Sequence, residues 1–92
     1  MRIAISTDGN FVAEHFGRCP SYTIVDIDNN KIVETRVVNN PGHMPGAIPQ
    51  MMNQLGVDVM IAGGMGPRAI NFFQEYGIQT IIGVKGDIDD VI

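Results

Sequence analysis

The chain has 92 residues, 45% of them apolar and 17% charged, enough for one modest hydrophobic core but not two. Ten acidic against six basic side chains give a formal charge of −4, which argues against a general nucleic-acid binder, whose surface must be cationic. A lone cysteine excludes an intrachain disulfide, and no apolar run has the length of a membrane span or a signal core, so a soluble cytoplasmic protein is expected.

Arg2 to Ser6 reads as a short first strand, entering the turn cluster Thr7-Asp8-Gly9-Asn10. From Thr7 to about Pro20 the chain has no period of its own, and a connection of that size is usually functional or mobile. Ser21 to Asp28 alternates, with Tyr22, Ile24 and Asp26 facing one way and Thr23, Val25 and Ile27 the other. Asn29-Asn30 suits a tight hairpin, because asparagine tolerates positive φ. The returning strand, Lys31 to Asn39, carries Lys31, Glu34 and Arg36, as an edge strand does.

After the turn-rich loop Asn40 to Gly46, residues Ile48, Met51, Met52 and Leu55 form one apolar helical stripe. Pro49 fits its first turn, and Gly56 its end. Val57 to Ala62 is apolar enough for a central strand. Gly63-Gly64-Met65-Gly66 is a glycine loop, and Pro67 opens a second helix whose stripe is Ala69, Phe72, Phe73 and Tyr76. Ile78 to Ile82 is a last strand, and Asp87 looks like an N-cap near the end of the chain.

The element order is β-β-β-α-β-α-β. Right-handed crossovers then favour a mixed five-stranded α/β sheet of spatial order 3-2-1-4-5, with strand 2 antiparallel and helices flanking it as three layers. In that arrangement three loops open on one sheet edge. One carries His15, Arg18 and Cys19, another His43 and Met44, and a third Met65 and Arg68. They meet at a topological switch point and span roughly 15 Å, so one compact ligand could touch all three.

Imidazole, thiolate and thioether groups are borderline-to-soft ligands for iron, copper or iron–sulfur units. Backbone N–H groups of a glycine loop at a helix N-terminus attract anions, and Arg18 and Arg68 add fixed positive charge. The combination suits an anionic metal–sulfur cluster better than a bare divalent ion. A closed zinc site needs four ligands, and one cysteine with two histidines lacks the usual spacing. Plainer readings exist for each residue: His15 and His43 as loop histidines, Cys19 as a small packed residue, the arginines as solvated charges. Met51 and Met52 belong to the core, whereas Met65 lies off any stripe, between glycines.

Two segments together, His15-Phe16-Gly17-Arg18 after the first strand and Ile61 to Ala69 before a helix, resemble the dinitrogenase iron–molybdenum cofactor biosynthesis family. The likeness is to its NifX-like domain, also found at the end of the maturase NifB. It runs over residues 1–92, one domain that stops short of the helix usually ending it, and Gly42 to Gly46 resembles small stand-alone members. The resemblance implies a ribonuclease-H-like fold and a non-catalytic carrier for iron–molybdenum cofactor, a precursor or a related metal–sulfur cluster. By position it implies that His15, Arg18, Gly63, Gly64, Met65, Gly66 and Arg68 bind the cofactor, and that His15 holds metal. Cys19 and His43 are further candidate metal ligands from the residues themselves. A carrier implies transient donor and acceptor proteins, and few ligands per chain leave room for a cluster shared in a homodimer.

Two other functions compete. Gly64-x-Gly66-x-x-Ala69 formally matches a dinucleotide fingerprint, but it follows a late strand, contains Pro67, and lacks an acidic residue after the next strand. A metal-dependent nuclease would need several carboxylates around its ions, and Asp26, Asp28 and Asp58 fall away from the expected edge.

Overall fold

The computed structural model describes residues 1–42, 44 and 46–91, and of Val91 the backbone alone. Its elements are β1 (Arg2–Asp8), β2 (Phe11–Val12), a 3₁₀ turn (Phe16–Arg18), β3 (Ser21–Asp28), β4 (Lys31–Asn39), α1 (Ala47–Gln54), β5 (Val59–Ile61), α2 (Pro67–Glu75), β6 (Gln79–Ile81) and α3 (Ile88–Val91). The sheet is mixed, with order β4-β3-β1-β5-β6 and β2 paired to β1. β3 runs antiparallel to β1 and β4, while β1, β5 and β6 are parallel.

Among the described residues six strands form where five were expected. The first strand continues past Ser6 to Asp8, and Thr7 and Asp8 pair with Val12 and Phe11 across Gly9-Asn10. β2 consists of only two residues, too short for any alternation to mark it. Its position matters. β3 occupies one side of β1 as far as Thr7, and β5 takes the other side only at Ile3 to Ile5. β2 therefore lies on the β5 side, beyond that strand's end, and the chain leaving it runs beside the glycine loop.

Alternation along β3 divides the core in two. Tyr22 and Ile24 join Ala4 and Met60 under the helices, where Ile48, Met52 and Phe73 close the layer. Val25 joins Ile5, Val59 and Ile61 on the opposite face, against which Val84 and Ile88 pack. Phe16 reaches from its turn into the first layer, and its ring meets Phe73 edge-on at 5.5 Å and 78°. Tyr22 is buried beneath it and donates from its hydroxyl to the Phe16 carbonyl at 2.8 Å. Burial raises the phenol pKa, and the bond with Cys19 adds to the effect.

The local signals act as their chemistry dictates. Asn29 and Asn30 have φ of 52° and 64°, a left-handed pair whose twist suits the β3–β4 hairpin. Pro67 is the first residue of α2, and left-handed glycines at 56 and 77 follow the two long helices. The Asp87 carboxylate accepts from the Asp89 N–H at 2.9 Å, capping α3. Tyr76, expected on the buried stripe of α2, is 38% exposed, because the helix ends at Glu75.

One ion pair closes the end of the sheet where β1 begins. Arg2 Nε donates to Asp26 Oδ1 at 2.6 Å, its guanidinium also reaches the Leu55 carbonyl, and its N–H donates to Asp58 at 2.8 Å. The hydrogen bond from Arg2, helped by its charge, holds the Asp26 carboxyl below the usual carboxylate range. Asp26 and Asp58 are thus structural carboxylates, remote from the loops after β1 and β5.

Candidate functional site

The site begins with a backbone contact. Past β2, the Ala13 N–H donates to Ser6 C=O at 2.7 Å, which turns the chain alongside the end of β5. Gly63 N–H then donates to Ala13 C=O at 3.2 Å, and Phe16 N–H to Gly64 C=O at 2.9 Å, with His15 bridged in parallel to Gly64. A Cβ at residue 63 would lie 2.7 Å from the Ala13 oxygen and 2.9 Å from that of Glu14, so only glycine permits this approach. The histidine segment and the glycine loop, some fifty positions apart in the chain, are one hydrogen-bonded unit.

A cavity of about 630 Å³ opens beside this unit, within the range of small-ligand sites. His15 and Arg18 form one wall, Gly64, Met65, Gly66 and Arg68 another, and Gly42, Met44 and Gly46 a third. Phe72 and Ile48 supply apolar floor. Gly46 sits so close to the Phe72 ring that an added Cβ would stand 3.3 Å from it, which ties the loop before α1 to α2.

Two helices start at this cavity. Gly66 and Gly46 occupy their N-cap positions, and neither start has a side-chain cap. Amides of a helix's first turn have no intrahelical acceptor, and the helix dipole leaves that end positive. Arg18 and Arg68 are exposed there, and among the described residues neither takes part in an ion pair. The cavity thus offers positive potential, backbone donors, an imidazole and two thioethers. No three His, Cys, Asp or Glu side chains converge among the described residues, so no closed centre with a full protein ligand set is formed.

Six expected site residues line the cavity together: His15, Arg18, Gly64, Met65, Gly66 and Arg68. Two depart from expectation. Gly63 is not part of the cavity lining; its N–H donates to Ala13 and its C=O accepts from Gly83, so it shapes the wall from behind. Cys19 is 3% exposed and belongs to the core, with its thiol donating to Phe16 C=O at 3.4 Å. It borders a smaller cavity of about 310 Å³ shared with His15 and Arg18, rather than the larger one. The register of β3 buries it, two residues before Ser21. His43 lies outside the described residues, although Gly42 and Met44 on either side of it line the cavity. Met44 lines the cavity, in keeping with its loop's expected place on this edge, whereas Phe72 was missed as a cavity residue. Phe72 sits on the same apolar stripe as the buried Phe73, and the sequence pattern does not say which of the two lines a cavity.

The strand ends, loop cluster and cavity define an α/β protein with a cleft at its topological switch point. The family model for dinitrogenase iron-molybdenum cofactor matches residues 1–92, and the chain belongs to that family. It is 31% identical over 97 residues to an uncharacterised protein of Methanocaldococcus jannaschii, covering 100% of this chain and 82% of that one. Its fold is similar to the crystal structure of PH0822, with a TM-score of 0.93, 34% identity, and coverage of 99% and 84%. It is also similar to the apo form of the orange protein from Desulfovibrio gigas, with a TM-score of 0.75, 26% identity, and coverage of 94% and 78%. Nothing in these likenesses adds to the dinucleotide reading. Among the described residues no helix is long and apolar enough to cross a membrane.

Proposed function

We propose that this protein is a non-catalytic carrier that holds iron–molybdenum cofactor, a precursor or a related iron- or molybdenum–sulfur cluster as cargo in the 630 Å³ cavity. The observation that carries the reading is the meeting of His15, Met65, Arg18 and Arg68 with two helix N-termini around one opening. An anionic cluster needs positive surroundings more than a complete ligand set. Thioether and imidazole donors are soft enough for its iron, and amides and guanidinium groups suit its sulfides. Few protein ligands make binding reversible, as delivery between a donor and an acceptor protein requires. The ribonuclease-H-like fold assumed in this reading is supported by a mixed sheet with helices on both faces. Cys19 has a packing role in it, and His43 is the second imidazole to test.

The test is anaerobic reconstitution with iron–molybdenum cofactor, or with thiomolybdate and iron, followed by charge-transfer absorption. A His15→Ala, His43→Ala double variant should lose most of the bound signal, and Arg68→Ala should weaken retention on gel filtration. Cys19→Ser should keep the wild-type spectrum. Equal spectra for wild type and the double variant would remove the histidines from the site and the reading with them.

A further inference from the structure

β4 is an open edge of nine residues, all exposed except half-buried Val38. Among the described residues nothing pairs with its outer side. Asn40 N–H donates to Pro20 C=O at 3.1 Å, and the register with β3 carries that pattern to Val38, Arg36 and Glu34. The N–H and C=O groups of Thr35, Val37 and Asn39 therefore point away from the sheet, unpaired and ready to template another strand.

The residues about Thr35 read Val33-Glu34-Thr35-Arg36-Val37. Reversed and laid antiparallel on itself, this stretch sets Glu34 opposite Arg36 twice and Val33 opposite Val37 twice. We propose that β4 pairs with β4 of a second copy of this chain, antiparallel, about a twofold axis through Thr35. The two Thr35 residues then exchange both backbone hydrogen bonds, as the outward direction of their groups requires.

Charge favours this occupant and this register. On its inner side Glu34 stands opposite Asp26, a like charge whose own cation, Arg2, is already engaged. The second copy's Arg36 supplies the counter-charge that β3 does not. A shift of one step either way brings Arg36 opposite Arg36, or Glu34 opposite Glu34, so the alternatives are penalised. Val33 and Val37, each 64% exposed, gain cross-strand apolar neighbours. The β-bulge falls at Val33, which has no partner on β3 between Ile32 and Glu34, so regular pairing is secure only from Glu34 onward, the interface is short and the dimer weak. No β4 residue lines the cavity, so this pairing stands apart from the cargo site.

Sedimentation velocity of the full chain tests it, from about 10 μM to about 1 mM, the range where a small interface associates. Wild type should shift from monomer to dimer. Glu34→Arg alone and Arg36→Glu alone should each weaken the dimer about tenfold, because two symmetric pairs turn repulsive. An equimolar mixture of the two variants should restore association, since every contact is then between opposite charges. Thr35→Pro, which removes an outward donor, should abolish dimers while circular dichroism stays native. A wild type that remains monomeric throughout, a dimer indifferent to either reversal, or a mixture no tighter than its parts would overturn the proposal.

Discussion

Gly63→Ala is the sharpest test of how the site is assembled. Here the added methyl carbon would stand 2.7 Å from the Ala13 oxygen, 2.9 Å from the Glu14 oxygen and 3.1 Å from the Glu14 Cα. Ordinary contact begins near 3.4 Å, so the strands must part by roughly 0.7 Å. All three obstacles are backbone, and Ala13 is itself held by Ser6, so no rotamer change relieves the clash. Overpacking of this kind costs about 1–3 kcal/mol, and in a domain of this size each kcal/mol lowers Tm by about 4–8 °C. The expected loss is therefore about 5–20 °C in a thermal melt, with a matching fall in the urea midpoint. Gly17→Ala is the control, since a Cβ there meets nothing within 4 Å. In the destabilised variant the Phe16 and Gly63 amides should also exchange hydrogen faster, as their bonds to Gly64 and Ala13 loosen. A Gly63→Ala protein that melts with the Gly17→Ala control would show that the histidine segment does not lie against the glycine loop.

Phe73→Ala should cost about 3–5 kcal/mol by urea unfolding, because the ring is fully buried and braces Phe16; a loss below about 1 kcal/mol would contradict that packing. Asp26 has its pKa depressed in the folded state by Arg2, so its contribution is fully present above the unfolded value near 3.9 and fades as pH falls through the folded one. Asp26→Asn should accordingly flatten the acid side of the stability curve while the two proteins converge at the lowest pH. Unchanged acid dependence would mean that Arg2 does not hold this carboxylate.

The site was only partly legible in the chain. Glycines flanking Met65 and a proline after them mark a tight loop and a helix start from sequence alone, because φ freedom and a missing N–H are properties of single residues. His15 and Arg18 could be assigned to the same edge from strand direction. Cys19 could not be assigned, since the same thiol serves as ligand or as filler according to its surroundings. β2 left no trace, as two residues have no period, yet it steers His15 onto Gly64.

Residue chemistry acting locally thus set the hairpin at Asn29-Asn30, the helix starts and stops, and the division of β3 between two faces. These depend on dihedral preference and alternation, which neighbours in sequence decide. Which groups share the cavity was decided by the tertiary fold. Gly63 could be read as part of a ligand loop, but in space its missing side chain is what admits the carbonyls of Ala13 and Glu14. That role exists only once two distant segments are within van der Waals reach, a distance no local pattern encodes.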